Sequence, residues 1–259
     1  MNFFDTHAHF PDDEKKIAGL LARASSSGVS RLMAVGGSPE LNKSALLAKS
    51  VAQNMESPPE VFIALGMDRD QIPPANSVCP RYDFSAVIEN RKKISAIGEI
   101  GLDFYYAQET AKAQCDLFAA QLELAKELDL PVVIHTRDAD DATLGVLDEA
   151  DFHNGIIHCF TGSVPFERKL LDRGFMISIS GIVTFRAAEN VREAARYAPA
   201  DRLLVETDSP FLAPVPMRGK ENEPSFLKYT LEFLANLREV TPQILAATTT
   251  ENARSFLKC

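Results

Sequence analysis

Eight short apolar runs, each followed by a longer stretch with helical spacing, limit what this chain can fold into. The runs lie near residues 2–8, 31–36, 61–66, 95–99, 131–135, 155–160, 175–180 and 202–207. Helix-like stretches such as 40–53 and 109–129 separate them. The second of these carries Leu117, Ala120, Leu124 and Leu128 on one face. Pro131 ends that pattern just before "VVIH". Strands that alternate with helices pair in parallel, and eight such units close into an α/β barrel of the (β/α)8 TIM type. A doubly wound open sheet is the alternative topology. With 259 residues the chain has a common length for one barrel, so 1–259 reads as a single domain. The segment 211–224, "FLAPVPMRGKENEP", has no helical period and reads as a long loop before one or two closing helices.

In such a barrel the C-terminal ends of the strands meet at one mouth, where active sites lie. The first run ends in "DTHAH", which places Asp5, His7 and His9 on one face if the segment is a regular strand. Glu99 follows "ISAIG", His135 ends "PVVIH", His158 ends "GIIH", and Asp208 follows "RLLVET". These six groups, His7, His9, Glu99, His135, His158 and Asp208, are expected to converge. The chain has only five histidines, and His153, in the turn-like "DFHNG", is the one left out. Four imidazoles and two carboxylates exceed the needs of one four-coordinate ion. They suit two divalent ions sharing a carboxylate, drawn from Zn, Mn, Co, Ni or Mg, since a sulfur-free set singles out none of them. Asp5 reads as a partner that orients a histidine, or else as a hydrogen bonder at the strand start. Cys159, next to His158, reads as a packed thiol pointing away from the site.

Composition narrows the classes. The net charge is −9, which opposes a protein that clamps duplex DNA with a basic face. It does not oppose a nuclease, because carboxylates gathered for cations count as negative until the cations bind. No run approaches the roughly 18 apolar residues of a membrane span, and no basic segment leads into a hydrophobic stretch as in a signal peptide. Cys79, Cys115, Cys159 and Cys259 form no CxxC pair and read as reduced thiols of a cytoplasmic protein.

Taken together, "DTHAH" (5–9), "GEIGLDFYY" (98–106), "PVVIHTRDA" (131–139), "IIHCFTG" (156–162), "GIVTF" (181–185), "LLVETDSPFLAP" (203–214), "RGKENEP" (218–224) and "TTENARSFL" (249–257) resemble the TatD-like metal-dependent hydrolases, a family described as deoxyribonucleases within the amidohydrolase-like barrels. The resemblance implies His7, His9, Glu99 and Asp208 around one ion, and Glu99, His135 and His158 around a second, with Glu99 bridging. It also implies DNA as substrate, removed from 3′ ends, and a single-stranded end suits an acidic protein with a narrow mouth. One element departs. Where the family usually has Gly-x-His-Pro, this chain reads Gly66, Met67, Asp68 and then Arg69, which reads as a solvated loop arginine or else as a cation offered on that side of the mouth.

Two divalent ions suit phosphodiester hydrolysis because they acidify water and neutralise charge on the leaving oxygen. Glu99 and Asp208 are the expected catalytic carboxylates, with Asp208 accepting or orienting the proton of water. Arg137, two residues after His135, is a candidate to touch substrate phosphate, with a structural salt bridge as the other reading. An amide or lactone hydrolase on the same barrel is the main alternative. The absence of a lysine at any strand end favours the phosphoesterase. A non-catalytic scaffold kept together by metal is the second alternative. A monomer is expected.

Overall fold

The computed structural model describes residues 2–72 and 82–258. Cys79 and Cys259, expected as reduced thiols, lie outside the described residues, and Cys115 and Cys159 are free. Eight strands pair in one sheet in the order of the sequence, every pair parallel. They are β1 (Phe3–Ala8), β2 (Val29–Gly37), β3 (Glu60–Met67), β4 (Ala96–Asp103), β5 (Val132–Arg137), β6 (Gly155–Ile157), β7 (Met176–Ile179) and β8 (Leu203–Val205). The ring closes just beyond β8. There Ala8 bridges Ser209 in parallel, the Asp208 N–H donates to the His7 carbonyl at 2.9 Å, and the His9 N–H donates to the Ser209 carbonyl at 2.8 Å. This is the expected (β/α)8 barrel rather than the open sheet.

The helices are α1 (Glu14–Ser26), α2 (Pro39–Gln53), α3 (Ser85–Asn90), the short turn α4 (Phe104–Ala107), α5 (Ala111–Leu128), α6 (Asp140–Glu149), α7 (Val164–Asp172), α8 (Glu189–Tyr197), α9 (Leu227–Leu237) and α10 (Pro242–Leu257). Local chemistry starts them. The Asp13 carboxylate accepts from the Lys15 and Lys16 N–H groups, and Ser38 and Ser163 cap α2 and α7, each with a proline in the first turn. Among the described residues, no helix is long and apolar enough to cross a membrane. The proline-rich segment 211–224 is a loop, as expected, and α9 and α10 follow it.

Two apolar clusters hold the barrel. The inner one takes Phe4, Met33, Phe62, Ala96, Val133, Ile156, Met176 and Leu204, one or more residues from each strand, with Ala253 and Leu257 of α10 packed against them. The larger cluster lies between strands and helices. Strands buried on both faces read as continuous apolar runs, which is why they stood out in the sequence.

The regular ladder breaks in two places that matter. The pairing of β1 with β2 shifts register between Asp5 and Ala8, and that of β4 with β5 shifts between Ile97 and Ile100. Such irregularities re-aim a side chain that strict alternation would place elsewhere. The first break contains His7 and the second contains Glu99. Gly101, just beyond, has φ +123, and a Cβ there would collide with the carbonyl of His135.

Candidate metal centre

All six predicted groups meet at the mouth. The His7 and His9 Nε2 atoms lie 3.2 Å apart. Glu99 sits between two histidine pairs: Oε2 is 3.6 Å from His7 Nε2 and 3.5 Å from His9 Nε2, while Oε1 is 3.2 Å from both His135 Nδ1 and His158 Nε2. Asp208 Oδ1 lies 3.9 Å from the Nε2 of both His7 and His9. Strand ends do not describe the placement fully. Glu99 lies inside β4, which runs on to Asp103, and His158 and Asp208 fall just past the last residues of β6 and β8. Asp208 holds a left-handed φ of 56, a conformation that a non-glycine residue keeps only when its surroundings enforce it. His153 is remote from the cluster in its partners, its Nε2 facing Asp151 at 2.9 Å.

The electrostatics are those of a cation site. Burial and the neighbouring His158 push His7 down to about 4. Burial pushes Asp208 up to about 6. Burial opposes charge on His158 and Glu99 too, but each overcomes it through the other: His158 is raised well above its ordinary value by Glu99 and Glu206, and Glu99 is held well below its own by His158 and its other imidazole neighbours. Protons thus occupy a place a cation can take, and ligand deprotonation accompanies binding. The donor set fits. Ligand atoms of His7, Glu99 and His158 lie within 4.8 Å of one another, as do those of His7, His9 and Asp208. Two facing imidazole nitrogens such as the Nε2 atoms of His7 and His9 satisfy one another with one proton at most.

Two carboxylates that the sequence reading passed over hold these histidines. Glu206, fully buried, accepts at Oε1 from the Cys159 N–H at 2.7 Å and lies 3.2 Å from His158 Nδ1. Its signal was a carboxylate inside the apolar run "RLLVE". Asp103 places Oδ2 at 3.1 Å from His135 Nε2, and its Oδ1 accepts from the Tyr105 and Tyr106 N–H groups. Partners of this kind fix ring orientation. Asp5 does something else. Its carboxylate accepts from the Thr207 N–H at 2.9 Å and Thr207 hydroxyl at 2.6 Å, and more weakly from the His7 N–H at 3.3 Å. It ties β1 to the segment after β8 rather than orienting an imidazole.

A cavity of about 560 Å³ opens over the cluster, and Arg69, Arg137, Cys159 and Tyr106 are among its walls. Arg69 is therefore not a solvated loop residue: its side chain is 21% exposed, and its guanidinium is 3.9 Å from Asp103 Oδ2. Arg137 makes no salt bridge among the described residues; its guanidinium lies 4.0 Å above the Tyr105 ring and 4.9 Å from Tyr106. Cys159 does not point away, because β6 has ended and its φ is 46. Its Sγ is 3.1 Å from Ser180 Oγ, and burial and nearby carboxylates push the thiol well above its ordinary value, against a nucleophilic role.

A family model described as "TatD related DNase" matches residues 4–258. The chain belongs to the TatD family of metal-dependent hydrolases. It is 34% identical to "3'-5' ssDNA/RNA exonuclease TatD" of Salmonella typhimurium, over 98% of this chain and 96% of that one. It is 52% identical to the "Uncharacterized metal-dependent hydrolase YcfH" of Escherichia coli over 166 residues, an aligned stretch that spans 63% of either protein. The crystal structure of YjjV, a TatD homolog from Escherichia coli, superposes with a TM-score of 0.85 at 26% identity, covering 99% of this chain and 98% of that one. The TatD barrel is thus the frame on which these side chains sit.

Proposed function

We propose that this TatD-family chain removes nucleotides from the 3′ ends of single-stranded DNA, holding two divalent cations at its mouth. His7, His9, Glu99 and Asp208 would hold one cation, and Glu99, His135 and His158 the other. The observation that carries this reading is Glu99, whose two oxygens each face a different histidine pair. A carboxylate so placed offers one oxygen to each of two sites. Cations bound there would supply Lewis acidity, making water a better nucleophile and offsetting charge on a phosphoryl group.

The chain's own residues do the rest. Asp208 lines the cavity and takes the proton that a water loses. Burial raises its pKa to about 6, and beside a bound cation the carboxylate would stay ionised and able to accept. Glu206 and Asp103 keep His158 and His135 in fixed orientations. Arg69 and Arg137 give the cavity wall positive charge in a protein of net charge −9, so a phosphate has somewhere to rest. The relative named as a 3'-5' ssDNA/RNA exonuclease supports the choice of substrate.

The test is parallel turnover of metal-loaded protein on 5′-labelled single-stranded DNA, a phosphodiester dye and a lactone. Stepwise loss of 3′ nucleotides is expected. Lactone turnover with no phosphodiester cleavage would replace this reading with the amide or lactone hydrolase.

A further inference from the structure

Tyr105 and Tyr106, just past the buried end of β4 at Asp103, are 59% and 65% exposed, and Tyr106 lines the cavity. Their rings meet edge to face at 4.8 Å between centroids, and the Arg137 guanidinium covers them. Leaving two large aromatic rings in water forfeits burial that either could gain elsewhere. An arginine with no acidic partner among the described residues adds a flat, weakly hydrated cation to the same surface.

This surface is fixed to the metal centre. The Asp103 carboxylate accepts from the Tyr105 N–H at 3.0 Å and the Tyr106 N–H at 3.1 Å while its other oxygen lies 3.1 Å from His135 Nε2. The Gln114 side chain braces the same residue, its Oε1 accepting from the Asp103 N–H at 2.8 Å and its Nε2 donating to the Asp103 carbonyl at 3.1 Å. Arg137 stands two residues beyond His135 on β5. One carboxylate and one strand thus hold the aromatic shelf in register with a metal-centre histidine. Tyr106 and Glu99 line the same cavity, and so does Phe211, 59% exposed and placed after β8, halfway round the ring from β4.

We propose that Tyr105, Tyr106 and Arg137 form a stacking shelf for a nucleobase of the single strand whose phosphodiester lies over the metal centre. Every base has a π-face, and stacking on tyrosine and arginine tolerates any sequence. Duplex DNA hides those faces inside its own stack, so the shelf selects unpaired ends. The inference rests on the exonuclease reading for the position of the phosphate, but it concerns recognition of the base.

The test is fluorescence anisotropy with a phosphorothioate-linked, labelled oligothymidylate and its abasic counterpart, in the presence of Mn2+, alongside KM for cleavage of the natural oligonucleotide. Tyr106→Ala should weaken binding of the base-bearing strand roughly 5- to 150-fold and raise KM in parallel. Tyr106→Phe should restore both, since the ring is retained. The abasic strand should bind wild type and Tyr106→Ala alike. Circular dichroism checks folding, and Tyr105→Ala supplies a second variant. Equal binding of the base-bearing strand by wild type and both alanine variants overturns the shelf, as does an equal loss on the abasic strand or no base-dependent binding by wild type. Cleavage without any effect of these variants leaves the exonuclease reading in place and removes the shelf. Base-dependent binding without cleavage does the reverse.

Discussion

Glu167, in α7, is a fully buried carboxylate whose two oxygens have no hydrogen-bond partner among the described residues. Burial raises it from 4.5 to about 8, opposed only by the attraction of Arg238. At pH 7 the unfolded chain carries this group ionised while the folded chain keeps it protonated. The native state therefore binds the extra proton, and stability falls as pH rises between 4.5 and 8. The slope is about 1.4 kcal/mol per pH unit inside that window. Between pH 5 and pH 7 the loss comes to roughly 2.5 kcal/mol, and over the whole window to about 5 kcal/mol. Glu167→Gln keeps the shape and removes the titration. Its stability relative to wild type should improve by that ~2.5 kcal/mol from pH 5 to pH 7. Urea unfolding of both proteins at the two pH values, each with chelator so that metal linkage cancels, gives the comparison. Parallel stability curves for wild type and Glu167→Gln would refute the argument and mean that Glu167 is ionised or solvated in the fold.

The other predictions concern the mouth. Glu99→Gln should lower metal content at both sites, while His135→Ala or His158→Ala should chiefly empty one; elemental analysis of identically purified variants decides, and two ions retained in Glu99→Gln would remove it as the bridge. Asp208→Asn should abolish most turnover without lowering the thermal midpoint of chelated protein, because burial already disfavours the Asp208 charge; a collapsed midpoint would make Asp208 structural. Affinity for single-stranded DNA should fall only modestly with salt, since Arg69 and Arg137 are the arginines lining the cavity and few phosphates are neutralised. A steep slope would reveal a basic groove elsewhere.

How much of this was legible depended on whether side chains obeyed regular geometry. The strands were, because burial on both faces leaves continuous runs such as "VVI" and "FIAL". The histidines were, because imidazoles in such runs have no core use. Glu99 and His7 were legible as residues but not as directions, since each lies where the ladder shifts register. Of the two readings of Asp5 the hydrogen bonder holds: strict alternation put it on the imidazole face, whereas its carboxylate turns to Thr207. Arg69 and Cys159 depended on how a segment curves after its strand ends, and no periodicity encodes that. Glu206 was within reach, being a charge in a run with no room for one. Tyr105 and Tyr106 carried no sign of exposure, because aromatic residues at a strand end are as common in cores.

The closure of the ring has a kinetic consequence. Seven of the eight junctions join strands that follow one another in the chain, and each can zip as soon as its crossover helix forms. The last junction joins residues about two hundred apart, with Asp5 meeting Thr207 at a separation of 202. Bringing such distant segments together in an unfolded chain costs more loop entropy than pairing neighbouring strands, and contacts of long range slow folding. Until that seam closes, β1 and the segment after β8 are open edges able to pair with another chain. The side-chain clasp of Asp5 on Thr207 acts on the ring's one long-range junction, and its loss should show first as aggregation during refolding rather than as a change in the finished barrel.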